Sequence, residues 1–239
     1  LAAILRIAPS TLAGAALIIL AGFVDGGLKP ILWLAALAVA YFLPVVFGVR
    51  GWRVQPAHFA ERHGLIVIIA IGESLIAIGL GEAVSGLSTE VIVAAVLGFA
   101  VTTAFWLAYF DFFTIRAYQM LTDRGGADRA ALARDVYSYL HFPMVAGIVL
   151  FAFAMKTTLA DVDGELATIP ALGICGGPAL YLFAFVALRV RLSRTLRGGR
   201  LIAAVALVLL WPVAVAVTAL VALMLVTIVW IGLHAYEII

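Results

Sequence analysis

Charged residues are scarce in this chain. Asp, Glu, Lys and Arg make up only 12% of its 239 residues, whereas 66% are hydrophobic. Soluble globular domains carry about 25% charged residues, so the composition excludes the ordinary soluble class. The single cysteine, Cys175, also excludes an intramolecular disulfide and a metal site built from several thiolates. These shortages indicate a helical membrane protein.

Motifs of common enzyme chemistry are also missing. The sequence contains no nucleophile elbow, no phosphate-binding loop and no cofactor fingerprint, so we expect no cofactor. His58, Glu61 and His63 superficially resemble a zinc motif. Such motifs place their two histidines one helical turn apart, and these histidines are five residues apart. We therefore predict no metal site.

Apolar runs are the most abundant feature. At about 20 residues per crossing, the chain could hold about eight membrane spans. The sequence therefore predicts an all-α fold, a single domain formed by a bundle of about eight transmembrane helices. The predicted spans are 8–24, 31–49, 64–81, 91–111, 141–159, 169–190, 201–214 and 218–236. The division of the last two is the least marked, and seven spans is the main alternative.

Basic residues are concentrated in alternate loops. Arginines crowd residues 50–62, and five of them lie in the Arg189–Arg200 segment, whereas residues 161–165 contain three acids and no base. Because basic loops stay in the cytoplasm, eight spans would place both termini on the cytoplasmic side of a bacterial inner membrane. We expect the Arg189–Arg200 segment to contact anionic lipid headgroups and no nucleic acid.

A carboxylate lies in the middle of the third predicted span. Glu73 shares one side of this helix with Ala70, Ser74 and Ala77. Small and polar residues suit close helix contact, and an ionisable group in the membrane is costly, so we expect this side to face the protein interior. A bulky stripe is expected to face lipid: Ile68, Ile71, Leu75 and Ile78. Glu73 could handle protons or substrate, or it could be a structural hydrogen-bonding residue.

More polar residues gather where the third, fourth and fifth spans reach the predicted cytoplasmic face. His63, Asp111 and His141 are candidates for binding a proton or substrate, together with Glu73 and Ser74. The candidates for structural ion pairs are Glu61, Arg62, Arg116, Arg134 and Asp135. Two interpretations stay open: the charges neutralise one another at helix ends, or they form a polar vestibule leading toward Glu73.

Gly176-Gly177-Pro178 interrupts the sixth predicted span. Membrane helices tolerate Gly and Pro as simple kinks, which is one interpretation. The other is a broken helix whose freed carbonyl groups line a polar path, as in many transporters. The sequence favours the kink and leaves the broken helix open.

Three motifs resemble the bacterial low-temperature-requirement A family. They are HFAERHGLIVIIAIGESL starting at His58, WLAYFD ending at Asp111, and RDVYSYLHFPMVAGI from Arg134 to Ile148. The resemblance covers most of the chain in the expected order. Members of that family also carry a preceding membrane segment with a motif of the ELFFDLVF type, so we expect this chain to match only their larger C-terminal part. The resemblance implies a membrane protein and no agreed molecular activity.

The favoured function is a transporter or channel for a small solute or ion, with Glu73 as the residue that would couple it to protons. Two alternatives stay open. The first is an intramembrane enzyme that uses His141 and an acid such as Asp111 on a lipid or another hydrophobic substrate. The second is a non-catalytic membrane subunit or scaffold. Because enzyme motifs are missing, we favour a protein that is not an enzyme.

Overall fold

Helices make up most of the chain in the part that its computed structural model describes. The described residues are 2–47, 52–85, 87–111, 113–193, 195 and 198–238, without the side chains of 2–7, 44, 45, 47, 81–85, 116 and 193. A π-helical segment, Arg134–Tyr139, joins α6 to α7. The helices are α1 (Ala2–Gly22), α2 (Leu28–Phe47), α3 (Pro56–Ser85), α4 (Thr89–Phe110), α5 (Thr114–Thr122), α6 (Gly126–Ala133), α7 (His141–Ala160), α8 (Thr168–Ser193), α9 (Gly198–Ala214) and α10 (Ala219–Ile238). The predicted all-α class is confirmed.

Fewer helices than predicted have the full length of a membrane span. Among the described residues five are long and apolar enough to cross: Pro56–Leu80, Thr89–Phe110, Gly126–Ala160, Thr168–Leu192 and Ala219–Ile238. Three shorter apolar segments lie where the other predicted spans were expected: Ala8–Gly22, Leu28–Leu43 and Gly198–Ala214. With 17 residues, α9 reaches only about 26 Å, less than a hydrocarbon core of about 30 Å. Eight crossings therefore stay a prediction.

The chain divides into two compact units, and the single domain stays a prediction. The first unit contains Leu1–Pro56 and Met120–Asp135, and the second contains Ala57–Gln119 and Val136–Ile239. In the first unit a turn with φ of 75° at Gly26 connects α1 and α2, a left-handed conformation that favours glycine.

In the second unit, α7 and α8 touch through their backbones. A Cβ atom built at Gly147 would lie 2.5 Å from the carbonyl oxygen of Gly177, and one built at Gly177 would lie 2.6 Å from that of Gly147. Only glycine allows this approach. Helix α8 is continuous from Thr168 to Ser193 with Pro178 inside it, so the Gly-Gly-Pro segment does not break the helix.

A layer of aromatic rings fills the centre of the second unit. The Phe105 ring of α4 contacts Phe151 of α7, Tyr181 of α8 and Trp230 of α10, with ring centroids 5.5, 4.7 and 5.3 Å away. The Tyr181 hydroxyl donates a hydrogen bond to the Phe105 carbonyl oxygen at 2.6 Å. This layer fixes the relative positions of four helices, and α3 joins them by placing Ile78 against Gly98 of α4.

Candidate functional site

Helix α3 buries most of its predicted side but not Glu73. Ser74, Ala70 and Ala77 are buried as expected, but Glu73 is exposed. Ile71 and Ile78, which we expected to face lipid, are buried. Consecutive residues of a helix point about 100° apart, so the buried side can include Ser74 and leave out Glu73. Ile78 lies against Gly98 of α4, beside Met155 of α7.

The predicted charged residues at the ends of α3 and α4 are exposed in the part of the chain that the structure describes. Glu61, Arg62 and Asp111 are exposed, and none of these side chains forms a hydrogen bond or ion pair with another side chain in the described residues. In the first unit, Arg134 pairs with Asp135 at 2.7 Å between Nη2 and Oδ1. The side chain of Arg116 lies outside the described residues. The structure therefore shows no charged vestibule between α3 and α4 in the part that it describes.

A buried histidine stands at the start of α7 instead. His141 is only 3% exposed, and both its ring nitrogens have partners. Nδ1 lies 3.0 Å from the carbonyl oxygen of Val136, and Nε2 lies 2.7 Å from the hydroxyl of Tyr109. A carbonyl oxygen can only accept, so Nδ1 carries a proton in this arrangement. In the neutral ring, Nε2 then accepts the hydrogen bond that Tyr109 donates.

Aromatic rings enclose His141. Tyr137 stacks on it with ring centroids 5.1 Å apart and planes inclined by 17°. Phe113 and His63 meet the ring edge to face, at 5.1 and 5.2 Å. We define His63, Tyr109, Phe113, Tyr137 and His141 as the His141 cluster. Its members come from α3, α4, the α4–α5 connection, the π-helical segment and α7, so the fold assembles it from distant parts of the sequence.

His63 is the outer basic group of the cluster. It is half-buried, and its Nδ1 lies 2.8 Å from the carbonyl oxygen of Phe59 one turn earlier in α3. The same reasoning puts a proton on Nδ1 and leaves the Nε2 lone pair open. Its ring contacts Tyr137 and His141 at 5.1 and 5.2 Å. A proton acceptor therefore lies between the surface and the buried imidazole.

The π-helical segment shapes the inner wall of the cluster. Its wide turn carries Tyr137 and ends just before His141. The Nδ1 atom of His141 donates a hydrogen bond to the carbonyl oxygen of Val136, five residues earlier. Single π turns are rare and are frequent at functional sites. Here the π-helical segment contains both Tyr137, which stacks on His141, and Val136, whose carbonyl oxygen accepts the hydrogen bond from His141.

Two buried hydroxyl groups in the second unit have no hydrogen-bond partner among the described residues. They belong to Tyr137, which is 1% exposed, and to Ser74. The large majority of buried hydroxyl groups in proteins form a hydrogen bond, so each of these two exceptions calls for an explanation. The Tyr137 hydroxyl belongs to a ring that touches both histidines.

A second polar group lies beside the cluster. Arg200 at the start of α9 forms a bidentate ion pair with Glu237 at the end of α10, with Nε–Oε1 and Nη2–Oε2 distances of 2.6 and 3.1 Å. Its guanidinium group lies 4.7 Å from the centre of the Phe185 ring, which contacts Phe113 at 6.2 Å. Arg200 is thus held by protein groups, and Arg194 and Arg197 lie outside the described residues.

The sequence identified His63 and His141 but missed Tyr109 and Tyr137. Tyr137 precedes His141 by one helical turn, and this spacing was a usable signal. Tyr109 gave none, because 32 residues separate it from His141. Among the described residues no three His, Cys, Asp or Glu side chains come together as metal ligands. The basic groups of the cluster are two imidazoles without a carboxylate.

Comparison with known proteins supplies the family. The family model described as bacterial low temperature requirement A protein (LtrA) matches residues 1–235. An uncharacterized protein of Rhizobium meliloti (strain 1021) is 32% identical over 175 residues, which cover 67% of this chain and 41% of that protein. The chain therefore spans less than half the length of that relative. No solved structure matches. With the family match along nearly its whole length and its long apolar helices, this chain belongs to the bacterial low-temperature-requirement A family of multi-pass membrane proteins.

Proposed function

We propose that this protein is a transporter or channel for a small solute or ion, and that the His141 cluster handles the protons that drive or accompany transport. The observation that carries the proposal is the buried hydrogen bond from the Tyr109 hydroxyl to His141 Nε2. It lies in helices long enough to span a membrane. Ionisable groups within such helices are costly and mark ion pathways and proton relays.

A proton is the species that suits the cluster best. The rings around His141 lie 5.1 to 5.5 Å away, centroid to centroid, which is contact distance for aromatic groups. The polar atoms inside this close packing that could exchange a proton are the Nε2 atoms of His63 and His141 and the hydroxyl oxygens of Tyr109 and Tyr137. Imidazole takes up and releases protons near neutral pH, which is why histidine serves as a proton shuttle.

The hydrogen bonds suggest how a proton would move. In the neutral state the Tyr109 hydroxyl donates to His141 Nε2. A proton arriving at Nε2 makes that nitrogen a donor, so the Tyr109 oxygen must become the acceptor and its own hydrogen must turn to another group. His63, with its open Nε2 and half-buried ring, is the member through which a proton would enter.

This proposal moves the coupling role from Glu73 to the histidines. Glu73 is exposed on α3, away from the buried side that carries Ser74. The enzyme alternative finds less support. Both nitrogens of His141 already have partners, and Asp111, the acid that would have assisted it, is exposed.

Proton flux into liposomes tests the proposal. The full-length protein would be reconstituted with a trapped pH dye, and a potassium diffusion potential would drive protons inward. We expect wild-type protein to acidify the lumen, and His63→Gln and His141→Gln each to reduce the initial rate about 100-fold, as loss of a proton-transfer group does. The matched control is Glu73→Gln, which should keep the wild-type rate. Loss of flux in Glu73→Gln alone would return the role to Glu73, and no flux from wild-type protein would refute proton movement by the protein itself.

For orientation, we propose that both termini face the cytoplasm of the inner membrane and that the Arg189–Arg200 segment lies near anionic headgroups. The charge asymmetry of the loops supports this. Cysteines introduced at Asp163 and at Arg191, both exposed, can be probed in intact cells with a reagent that does not cross the membrane. Modification is expected at 163 and not at 191. The opposite pattern would invert the topology.

A further inference from the structure

We propose that the Tyr137 hydroxyl is a water-binding site, and that a water molecule held there delivers protons to His63. The inference rests on the proposed function, because it names the carrier that would supply the His141 cluster. Three observations support it: the hydroxyl is buried without a partner among the described residues, its ring touches both histidines, and His63 Nε2 has no protein partner there either.

The first step concerns the unpaired hydroxyl. The side chain of Tyr137 is only 1% exposed. Leaving a buried hydroxyl group without a hydrogen bond lowers the folding equilibrium constant by a factor of about 5 to 150. Phenylalanine would fill the same space and keep the stack on His141. A tyrosine at this position is therefore expected to have a hydrogen-bonding purpose.

The second step concerns the partner. A buried water molecule needs at least two polar neighbours. Tyr137 and His63 provide them on adjacent rings, since their centroids lie 5.1 Å apart with the planes inclined by 60°. The phenolic oxygen can donate or accept, and His63 Nε2 can accept. A water molecule placed between these two atoms would satisfy both.

The third step is the proton transfer. A hydronium ion at this position gives one proton to the lone pair of His63 Nε2 and leaves a neutral water molecule on the Tyr137 hydroxyl. The imidazolium that forms lies against the faces and edges of Phe59 and Tyr137, at 4.6 and 5.1 Å, and aromatic rings stabilise such cations. In the described chain, the ring and hydrogen-bond contacts of His63, Tyr137 and His141 are with aromatic side chains and backbone carbonyl groups, not with charged side chains.

Tyr137→Phe tests the inference, because it removes the hydroxyl and keeps the ring. The matched control is Tyr139→Phe, the same chemical change two residues away in the π-helical segment. In liposomes we expect Tyr137→Phe to lower proton flux about tenfold, as loss of one hydrogen bond to the transferring group does. Tyr139→Phe should leave the flux unchanged. Equal flux in both variants and wild type would overturn the inference.

A second measurement does not depend on flux. In solid-state NMR of the reconstituted protein with ¹⁵N-labelled histidine, magnetisation transfer from water should reach His63 Nε2 in wild type and in Tyr139→Phe, and should be lost in Tyr137→Phe. Transfer that persists in Tyr137→Phe would overturn the water site even if proton flux is confirmed. Transfer that is lost as expected, in a protein without proton flux, would support the water site and refute the proposed function.

Discussion

The Arg200–Glu237 pair and the His141 cluster lie at the same end of the second unit, linked by the contact between Phe185 and Phe113, and they accommodate polar atoms in opposite ways. The first is charged, bidentate and held by its partner on both nitrogens that face it. The second is neutral and contains a buried hydroxyl without a partner in the described chain. Oppositely charged groups that pair with each other suit a structural connection between helices, here α9 and α10. A buried polar group without a partner, here the Tyr137 hydroxyl, suits a site that binds a ligand or a proton.

The largest stability effect is expected from breaking the ion pair. Glu237→Ala leaves the Arg200 guanidinium, with 16% of its side chain exposed, without its carboxylate. Removing one partner of a fully buried pair costs about 3–5 kcal/mol, and partial exposure should reduce this to about 2 kcal/mol. Thermal unfolding of the purified protein measures it, with Glu165→Ala, an exposed acid, as control. Proton flux per folded molecule should be unchanged. A loss of flux without a loss of stability would make the pair part of the functional site.

Smaller effects of opposite sign are expected from the two tyrosines of the His141 cluster. Tyr109→Phe removes the donor to His141 Nε2 and should destabilise the protein by about 1 kcal/mol. Tyr137→Phe removes an unpaired hydroxyl and should leave stability unchanged or raise it by up to about 1 kcal/mol. Unfolding midpoints of both variants in the same detergent test this. If Tyr137→Phe is as destabilising as Tyr109→Phe, the Tyr137 hydroxyl has a structural partner and the contrast with the ion pair disappears.

The helices could be predicted from the sequence because apolar runs and short polar breaks are local features. The rotation of α3 about its own axis, which decides which of its residues are buried, could not be predicted. Glu73 and Ser74 are neighbours in sequence, and a helical projection alone does not show where the buried side ends between them. That boundary is set by the packing of α3 against its neighbours, where Ile78 and Met155 of α7 meet at Gly98 of α4, and such contacts leave no mark on the residue spacing of α3.

The site was predictable in part for the same reason. His63 and His141 are two of only four histidines in the chain, and each lies at the start of a long apolar run, so the sequence draws attention to them. Their tyrosine partners resemble ordinary bulky residues of membrane helices. The hydrogen bond between Tyr109 and His141 depends on the packing of α4 against α7. The position of the unpaired Tyr137 hydroxyl depends on the π-helical segment and on the helices packed around it. Both arise from tertiary structure.

The glycine contact between α7 and α8 has a mechanical consequence for the His141 cluster. The backbones of α7 and α8 touch at Gly147 and Gly177 with no side chain between them, and they approach again where a Cβ atom built at Gly173 would lie 2.9 Å from the carbonyl oxygen of Leu150, so the part of α7 before Gly147 extends from a closely packed contact. His141 lies six residues before Gly147, about 9 Å along the helix axis. A tilt of about 10° would therefore displace His141 by roughly 1.5 Å, by the same helix geometry. That displacement exceeds the tolerance of its 2.7 Å bond to Tyr109, so a small angular motion of one helix would connect or disconnect the two groups.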